Sequence, residues 1–364
     1  MSKGLRALLG GLAVAIIAIT LYLSPAASGI TRALLGLLAA VTLWYVWRWP
    51  QLEQRLAAAE ASRRGARTAV PAPSSAVSAT PAPMSAEAPG PRPFDLAVGF
   101  VTNFLDTLGI GNFAPTTAAL KFTRRIPDED IPGTLNVGHA LPVLTEALIF
   151  IAAIVVDPRL LIAMIVASIL GAWLGAGVVA RMPRRAIQVG MGAALAVAAA
   201  LFVATNLRWM PGGGSATALS GTPFVAAVVG NFVLGALMTL GIGLYAPCLI
   251  MLSLLGLDPR AVFPIMMGSC AFLMPVGGLR FVRTRRYSAS VALGFAIGGP
   301  PAVLIAAYVI KQLPMFWLRW LVVCVVLYAA VMMLASALRG ASGSEREMGR
   351  ETLEVEERTQ KVSE

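Results

Sequence analysis

The sequence predicts an all-α polytopic membrane protein. It has two inverted repeats, each with a re-entrant broken-helix hairpin plus about three transmembrane helices, and an extra N-terminal transmembrane hairpin. The chain is 57% hydrophobic and only 13% charged, with a mean hydropathy of +0.77, whereas ordinary globular chains are about 25% charged. Apolar runs long enough to cross a bilayer recur along it. One nine-residue phrase also occurs twice, 132 residues apart.

The apolar runs place the spans. Runs of roughly 17–25 residues lie at 7–24, 33–49, 134–156, 159–180, 186–206, 261–279, 289–310 and 315–338. Two further apolar stretches, 96–122 and 223–257, contain the repeated phrase. The first span follows Lys3 and Arg6 and is also compatible with a signal peptide cleaved within 24–28. Because a second span follows at once, a retained hairpin is favoured.

The composition divides the chain into five parts. The Ala/Glu/Arg-rich residues 51–67 predict a short helix, and 68–93 form a linker rich in Pro, Ala and Ser. The predicted parts are the N-terminal transmembrane hairpin 1–50, the short helix and linker 51–93, transport repeat 1 at 94–210, transport repeat 2 at 211–340, and a polar Glu-rich tail at 341–364.

The repeated phrase is Thr107–Pro115 (TLGIGNFAP) and Thr239–Pro247 (TLGIGLYAP), identical at seven of nine positions. Each copy places two glycines and a proline where a membrane helix would otherwise continue. Paired interruptions in corresponding positions of two halves indicate the binding site of a secondary transporter. A Gly-x-Gly pair that only permits close helix packing is the alternative. Two copies with matching prolines favour the site.

Charge counting predicts the topology. If each phrase-bearing segment enters and returns on one side, the cytoplasmic regions hold 23 of the 29 Lys and Arg residues; if each crosses once, the split is 19 against 10. The positive-inside rule therefore favours re-entrant segments, with both termini on the cytoplasmic side. The membrane is predicted to be a bacterial-type inner membrane. Three crossings then separate the phrases, so the repeats point in opposite directions.

The helix breaks predict an anion site. Half-helices that start near Ala114 and Ala246 present free amide groups and a partial positive charge, which attract anions. Hydroxyl and amide side chains nearby supply further donors, whereas Cys248 is also compatible with simple core packing. The predicted substrate-binding residues are Gly109, Gly111, Asn112, Pro115, Thr116, His139, Gly241, Gly243, Tyr245, Pro247, Cys248 and Ser269.

Ionisable groups inside spans are costly and usually functional. Asp106 precedes the first phrase, and His139 and Glu146 lie seven residues apart on one helix face. These three residues are the candidates for proton coupling. A satisfied polar contact between packed helices is the alternative, particularly for His139. The second repeat has Met238 in place of Asp106, so any proton role belongs to the first half.

Other classes of function find little support. The cysteines Cys248, Cys270 and Cys324 have no zinc or disulfide spacing, and the sequence predicts neither metal nor cofactor. The net charge of +11 comes from loop Lys and Arg without a nucleic-acid-binding face. No nucleotide-binding P-loop is present, and one histidine with a carboxylate is thin support for an intramembrane enzyme.

A membrane scaffold or sensor that binds partners through its N-terminal hairpin and polar tail is the alternative function. The oligomeric state, homo-oligomer included, stays open.

These residues suggest a family. The glycine-rich breaks that end in proline, each followed by a span with a Gly-Ser-like pair, resemble the sulfite exporter TauE/SafE family (TSUP-type transporters) over residues 96–338. The resemblance implies an exporter of a small anion such as sulfite, thiosulfate or an organosulfonate, with proton coupling. The family's run of three glycines is reduced to Gly-Ile-Gly in both copies, and its small-residue-Thr-Ser patch appears only as 136–139 and 268–270. The identity of the anion therefore stays open.

Overall fold

The structure is a computed structural model that describes residues 3–23, 28–68, 90–179, 214–238 and 244–314, isolated positions between 189 and 207, and most of 316–335. This part of the chain is helical, apart from turns and one isolated β-bridge between Ala216 and Leu257. The predicted span at 186–206, most of the linker and the polar tail lie largely outside the described residues.

The helices follow the predicted apolar runs. They are α1 Lys3–Leu23, α2 Gly29–Thr68, α3 Pro93–Thr107, α4 Phe113–Thr123, α5 Ile131–Gly138, α6 Ala140–Ala153, α7 Pro158–Val179, α8 Gly221–Met238, α9 Tyr245–Leu254, α10 Pro259–Thr284 and α11 Ala289–Gln312, with a 3₁₀ turn at Asp128–Asp130. Five segments are long and apolar enough to cross a membrane: Gly29–Ser62, Ile131–Ala153, Gly221–Met238, Pro259–Thr284 and Ala289–Ile310. The protein is therefore a membrane protein made of helices.

The helix is interrupted at the first copy of the phrase. Helix α3 ends at Thr107 and α4 begins at Phe113. Between them, Gly109 and Gly111 have φ angles of 95° and 88°, a left-handed region that side chains with a Cβ rarely adopt. At the second copy, α8 ends at Met238 and α9 begins at Tyr245. Residues 239–243, including Gly241 and Gly243, lie outside the described residues.

The outer ends of each helix pair lie together. Asp95, in the first turn of α3, accepts two hydrogen bonds from the Arg125 guanidinium just after α4, at 3.1 and 2.9 Å. In the second pair, the residues that flank α8 and α9 are joined by backbone bonds: Asp258 N donates to Ala216 O at 2.8 Å and Ala216 N to Gly256 O at 3.4 Å. The outer ends of the two helices in each pair are thus held close together.

Each half packs one of its helices against a helix of the other half. Helix α3 of the first half packs along α11 of the second, and α8 of the second packs along α7 of the first, while α6 and α10 meet at the centre. Glycines permit these close contacts. A Cβ on Gly99 would lie 2.6 Å from Cα of Phe295, and a Cβ on Gly171 would collide with the Phe232 carbonyl oxygen.

Two helices differ from the prediction. The span predicted at 134–156 is broken at His139, between α5 and α6, because Pro142 has no N–H for the Gly138 carbonyl. The short helix predicted at 51–67 is not separate, since α2 runs continuously from Gly29 to Thr68 and passes through Pro50. Tyr45 and Trp49, both buried just before that proline, fix α2 against the core.

Candidate functional site

Glu146 joins the two copies of the phrase. It lies on α6 and is fully buried. Its Oε1 accepts a hydrogen bond from the Thr107 hydroxyl at 2.8 Å, and its Oε2 accepts one from the Tyr245 hydroxyl at 2.9 Å. Thr107 opens the first phrase and Tyr245 belongs to the second. The two helix breaks therefore converge on one carboxyl group in the middle of the protein.

A second carboxyl group lies beside the first break. The Asn112 amide donates to Oδ2 of Asp106 at 2.7 Å and to Oδ1 of Asn103 at 3.2 Å. The Asp106 and Glu146 carboxyl groups are close enough to interact electrostatically. Among the described residues, neither forms a salt bridge, whereas Asp95, Glu53, Glu60 and Glu129 do. Buried carboxyl groups without a cationic partner are costly when both are ionised.

His139 lies at the break between α5 and α6 and is fully buried. The Asn103 amide nitrogen donates to the Gly99 carbonyl, so its Oδ1 accepts from Nδ1 of His139, at 3.0 Å. The Thr116 hydroxyl lies 3.1 Å from Nε2. The imidazole stacks on Phe295, with centroids 4.9 Å apart and planes 13° apart. Both ring nitrogens are thus engaged, and the ring is held in one orientation.

The helices after the breaks begin without side-chain caps. Asn112 is the N-cap of α4 and Leu244 that of α9, and neither side chain bonds to the first turn of its helix. Pro115 and Pro247 each lie within that first turn, where proline replaces an N–H that has no helical partner. Among the described residues, the structure shows no backbone bond from the other first-turn amides at either break, and such amides suit an external acceptor.

Ser269 and His139 have different hydrogen-bond partners. The Asn231 amide donates to the Ser269 hydroxyl at 3.1 Å and to the Met164 carbonyl at 2.7 Å, and Ser168 lies beside Ser269. Among the described residues, the structure shows no hydrogen bond between Ser269 and His139. The buried Cys248 follows Pro247 in α9, where its amide closes the first turn on Leu244.

Several contributors were not singled out as site residues from the sequence. Thr107 carried a signal, because it is identical in both copies of the phrase. Asn231 carried a weaker one, as an amide inside an apolar run. Phe295 carried none, since a phenylalanine in a spanning helix is ordinary. Asn231 and the Phe295 ring become recognisable as partners only once the helices are packed.

The described residues contain no group of three or more His, Cys, Asp or Glu side chains that could hold a metal ion. What they do contain is a buried polar centre at paired helix breaks in a membrane bundle, the arrangement typical of secondary transporters. The family model described as "Sulfite exporter TauE/SafE" matches residues 1–202 and 223–361. The chain belongs to this family and is a membrane transport protein.

The family match corrects the predicted extent of the resemblance. It begins at residue 1, so the N-terminal region is part of the matched chain rather than an addition before residue 96. Comparison with curated proteins and with solved structures gave no match.

Proposed function

We propose that the protein is a secondary transporter that exports a small anion, such as sulfite, thiosulfate or an organosulfonate, across an inner membrane. The anion is held between the first turns of α4 and α9 and is exchanged against protons. The observation that carries the proposal is the position of Glu146, which bonds Thr107 of the first phrase and Tyr245 of the second. Family membership supports an anionic substrate.

Re-entrant hairpins are supported by their joined ends. The contact between Asp95 and Arg125 is expected if the chain enters along α3 and returns along α4 to the same level. The backbone bonds of Ala216 support the same path for α8 and α9. Helix α3 has 15 residues and is about 22 Å long, too short for a bilayer core of about 30 Å. Helix α8 has 18 residues, about 27 Å, so the support for a second re-entrant hairpin comes from its joined ends and not from its length.

The connections between the hairpins support opposite entry. The first hairpin ends near Arg125, close to the start of α5. From there α5 and α6 traverse the bundle to Asp157, whose N–H donates to Thr217 O at 3.0 Å, beside the base of the second hairpin. The bases therefore lie at opposite ends of the α5–α6 segment. The end that carries Arg125 also carries Arg285 and Arg286, so the positive-inside rule makes it cytoplasmic.

The polar groups at the breaks suit an anion. Backbone amides at the starts of α4 and α9 are neutral donors. A low-dielectric site with several such donors stabilises negative charge. An anion bound by neutral donors is released more easily than one paired with a Lys or Arg side chain, because no full counter-charge holds it.

Hydroxyl geometry supports proton carriage by Glu146. The Thr107 hydroxyl lies 2.8 Å from both the Asn103 carbonyl oxygen and Oε1 of Glu146. A hydroxyl has one proton, so it donates to only one of them. When it donates to Asn103, a protonated Glu146 donates to Thr107 in return. The same side-chain positions thus accommodate a carboxylate and a carboxylic acid.

Flux measurements test the proposal. The protein is reconstituted in liposomes, and the flux of sulfite, thiosulfate, sulfoacetate and sulfate is measured with and without a pH gradient. We expect saturable flux of at least one sulfur-containing anion, abolished by Gly111→Leu and unchanged by Gly36→Leu. Gly111 has a φ of 88°, whereas Gly36 is exposed on α2 with open space around it. Absence of flux for every anion would exclude transport and leave a scaffold or sensor role.

Cysteine labelling tests the inverted arrangement. Single cysteines at Arg124 and Val155, both exposed, are placed in a Cys324→Ser background, since Cys248 and Cys270 are buried. A membrane-impermeant maleimide should label Arg124→Cys only from the cytoplasmic side and Val155→Cys only from the opposite side. Labelling of both from one side would contradict opposite entry of the hairpins.

A further inference from the structure

Helix α2 presents a row of side chains to the transport bundle. Tyr45, Trp49 and Glu53 are spaced by four residues and therefore share one face of the helix. Tyr45 and Trp49 are buried, and their rings stack with centroids 5.9 Å apart. Each of the three makes a polar contact across the interface. The face is thus a specific contact rather than a lipid-facing surface.

Tyr45 contacts the break that carries His139. Its hydroxyl donates to the Val137 carbonyl at 2.7 Å, in the last turn of α5. The last carbonyls of a helix have no partner within it, and α5 stops at Gly138 because the chain breaks at His139. The Tyr45 hydroxyl of α2 therefore replaces the helical N–H donor that the Val137 carbonyl loses at the break. Val137 lies two residues before His139.

The other end of the row contacts the second half. Trp49 Nε1 donates to the Tyr287 hydroxyl at 3.0 Å, and that hydroxyl donates to Glu53. The Arg285 guanidinium bonds Glu53 at 2.8 Å and Glu60 at 3.1 Å. Both Arg285 and Tyr287 lie in the connection between α10 and α11. Burial, followed by the Glu53 carboxylate, raises the pKa of Tyr287, which keeps the hydroxyl protonated as a donor.

The two contacts connect opposite halves at one end of the molecule. The α10–α11 connection also touches α5, where Ser288 N donates to the Thr134 hydroxyl at 2.9 Å. We propose that Tyr45 and Glu53 are positioning residues for transport: they hold the His139 break of the first half and the α10–α11 connection of the second in the register that binds the anion. This inference rests on the proposed transport function.

The expected effect is on apparent affinity. When only a fraction of the protein has the binding-competent arrangement, the apparent dissociation constant rises by the reciprocal of that fraction. Losing one buried hydrogen bond shifts such an equilibrium by a factor of about three to ten. Tyr45→Phe and Glu53→Gln should therefore raise the KM of the transported anion by up to about three- to tenfold, with the maximal rate nearly unchanged.

Matched controls come from the same helix. Thr42 is buried, and among the described residues its hydroxyl is shown bonding the Leu38 carbonyl of α2 alone, so Thr42→Val removes a hydroxyl without touching α5. Glu60 is 54% exposed and shares the Arg285 ion pair, and such surface pairs contribute little. Thr42→Val and Glu60→Gln should keep the KM of the unmodified protein.

Hydrogen–deuterium exchange provides a readout without transport. Tyr45→Phe should increase amide exchange in a peptide covering 135–141, and saturating anion should restore the protection. Thr42→Val should leave that exchange unchanged. If the unmodified protein transports an anion but Tyr45→Phe leaves both KM and exchange unaltered, the positioning role is overturned. Equal effects of Tyr45→Phe and Thr42→Val would overturn it as well. If no anion is transported, the exchange data alone decide this contact.

Discussion

Glu146 has two proposed roles: it carries a proton, and it joins the two copies of the phrase through hydrogen bonds. Two substitutions, Glu146→Gln and Glu146→Ala, test these roles separately. Glu146→Gln keeps one oxygen acceptor and offers an amide donor to the other hydroxyl, so its cost in unfolding free energy should stay at about 1 kcal/mol. Glu146→Ala leaves the buried Tyr245 hydroxyl without an acceptor, whereas Thr107 retains the Asn103 carbonyl. That orphaned hydroxyl and the new cavity should together cost about 2–4 kcal/mol.

The consequence for transport follows from the missing carboxyl. A gradient of one pH unit is worth about 1.4 kcal/mol per proton, enough to accumulate an anion about tenfold when one proton is exchanged and the membrane potential is clamped. Glutamine does not titrate, so Glu146→Gln should show no accumulation in response to the gradient while anion–anion exchange continues. The assay is liposome flux under a potassium–valinomycin clamp, with and without the pH gradient.

The control is Glu129→Gln, since Glu129 is 65% exposed and pairs with Arg286 at the surface. It should accumulate the anion as the unmodified protein does. Normal accumulation of the anion by Glu146→Gln would refute proton carriage by Glu146, because a carboxyl at this position would then be unnecessary. Equal losses of stability in Glu146→Gln and Glu146→Ala would refute the role of Glu146 in joining the two phrases.

Three further predictions concern stability and affinity. Arg125→Ala leaves the buried Asp95 carboxylate unpaired and should lower the unfolding free energy by about 3–5 kcal/mol, measured by denaturant titration in detergent, with Asp95→Asn milder. Phe295→Leu removes the ring stacked on His139 and should raise the KM about threefold. Burial and a neighbouring carboxylate raise the pKa of Tyr287 above its ordinary 10.0. The stability that the protonated Tyr287 hydroxyl contributes to the folded protein is therefore complete below about pH 10 and is lost at higher pH. Tyr287→Phe should therefore show less alkaline destabilisation in thermal unfolding between pH 8 and 11.5.

The helix interruptions were predictable because they are encoded locally. Gly109 and Gly111 adopt φ angles that other residues rarely adopt, and such a requirement is visible in the sequence without knowledge of the fold. The apolar runs likewise predict α7, α10 and α11 to within a few residues, because hydrophobic length alone determines which segments suit a bilayer.

Contacts between distant segments were not predictable. The sequence indicated that Glu146 lies inside a span, but its partners Thr107 and Tyr245 are 39 and 99 residues away. The break at His139 had a local signal in Pro142, but prolines inside membrane helices are common and often leave them continuous. The role of Tyr45 depends on that break, since only a helix that ends there leaves the Val137 carbonyl available.

The two halves share a scaffold but differ in chemistry. Helix α3 packs along α11 and α8 packs along α7, so each half places one helix against the other half, as expected of the proposed inverted repeats. Where the first half has Asp106 and Thr116, the second has Met238 and Cys248. The titratable groups are thus concentrated in one half, and the second half reaches them through Tyr245. In the proposed transport cycle, this asymmetry would let the inward-open and outward-open states share one proton-carrying site, because both would face the same carboxyl group.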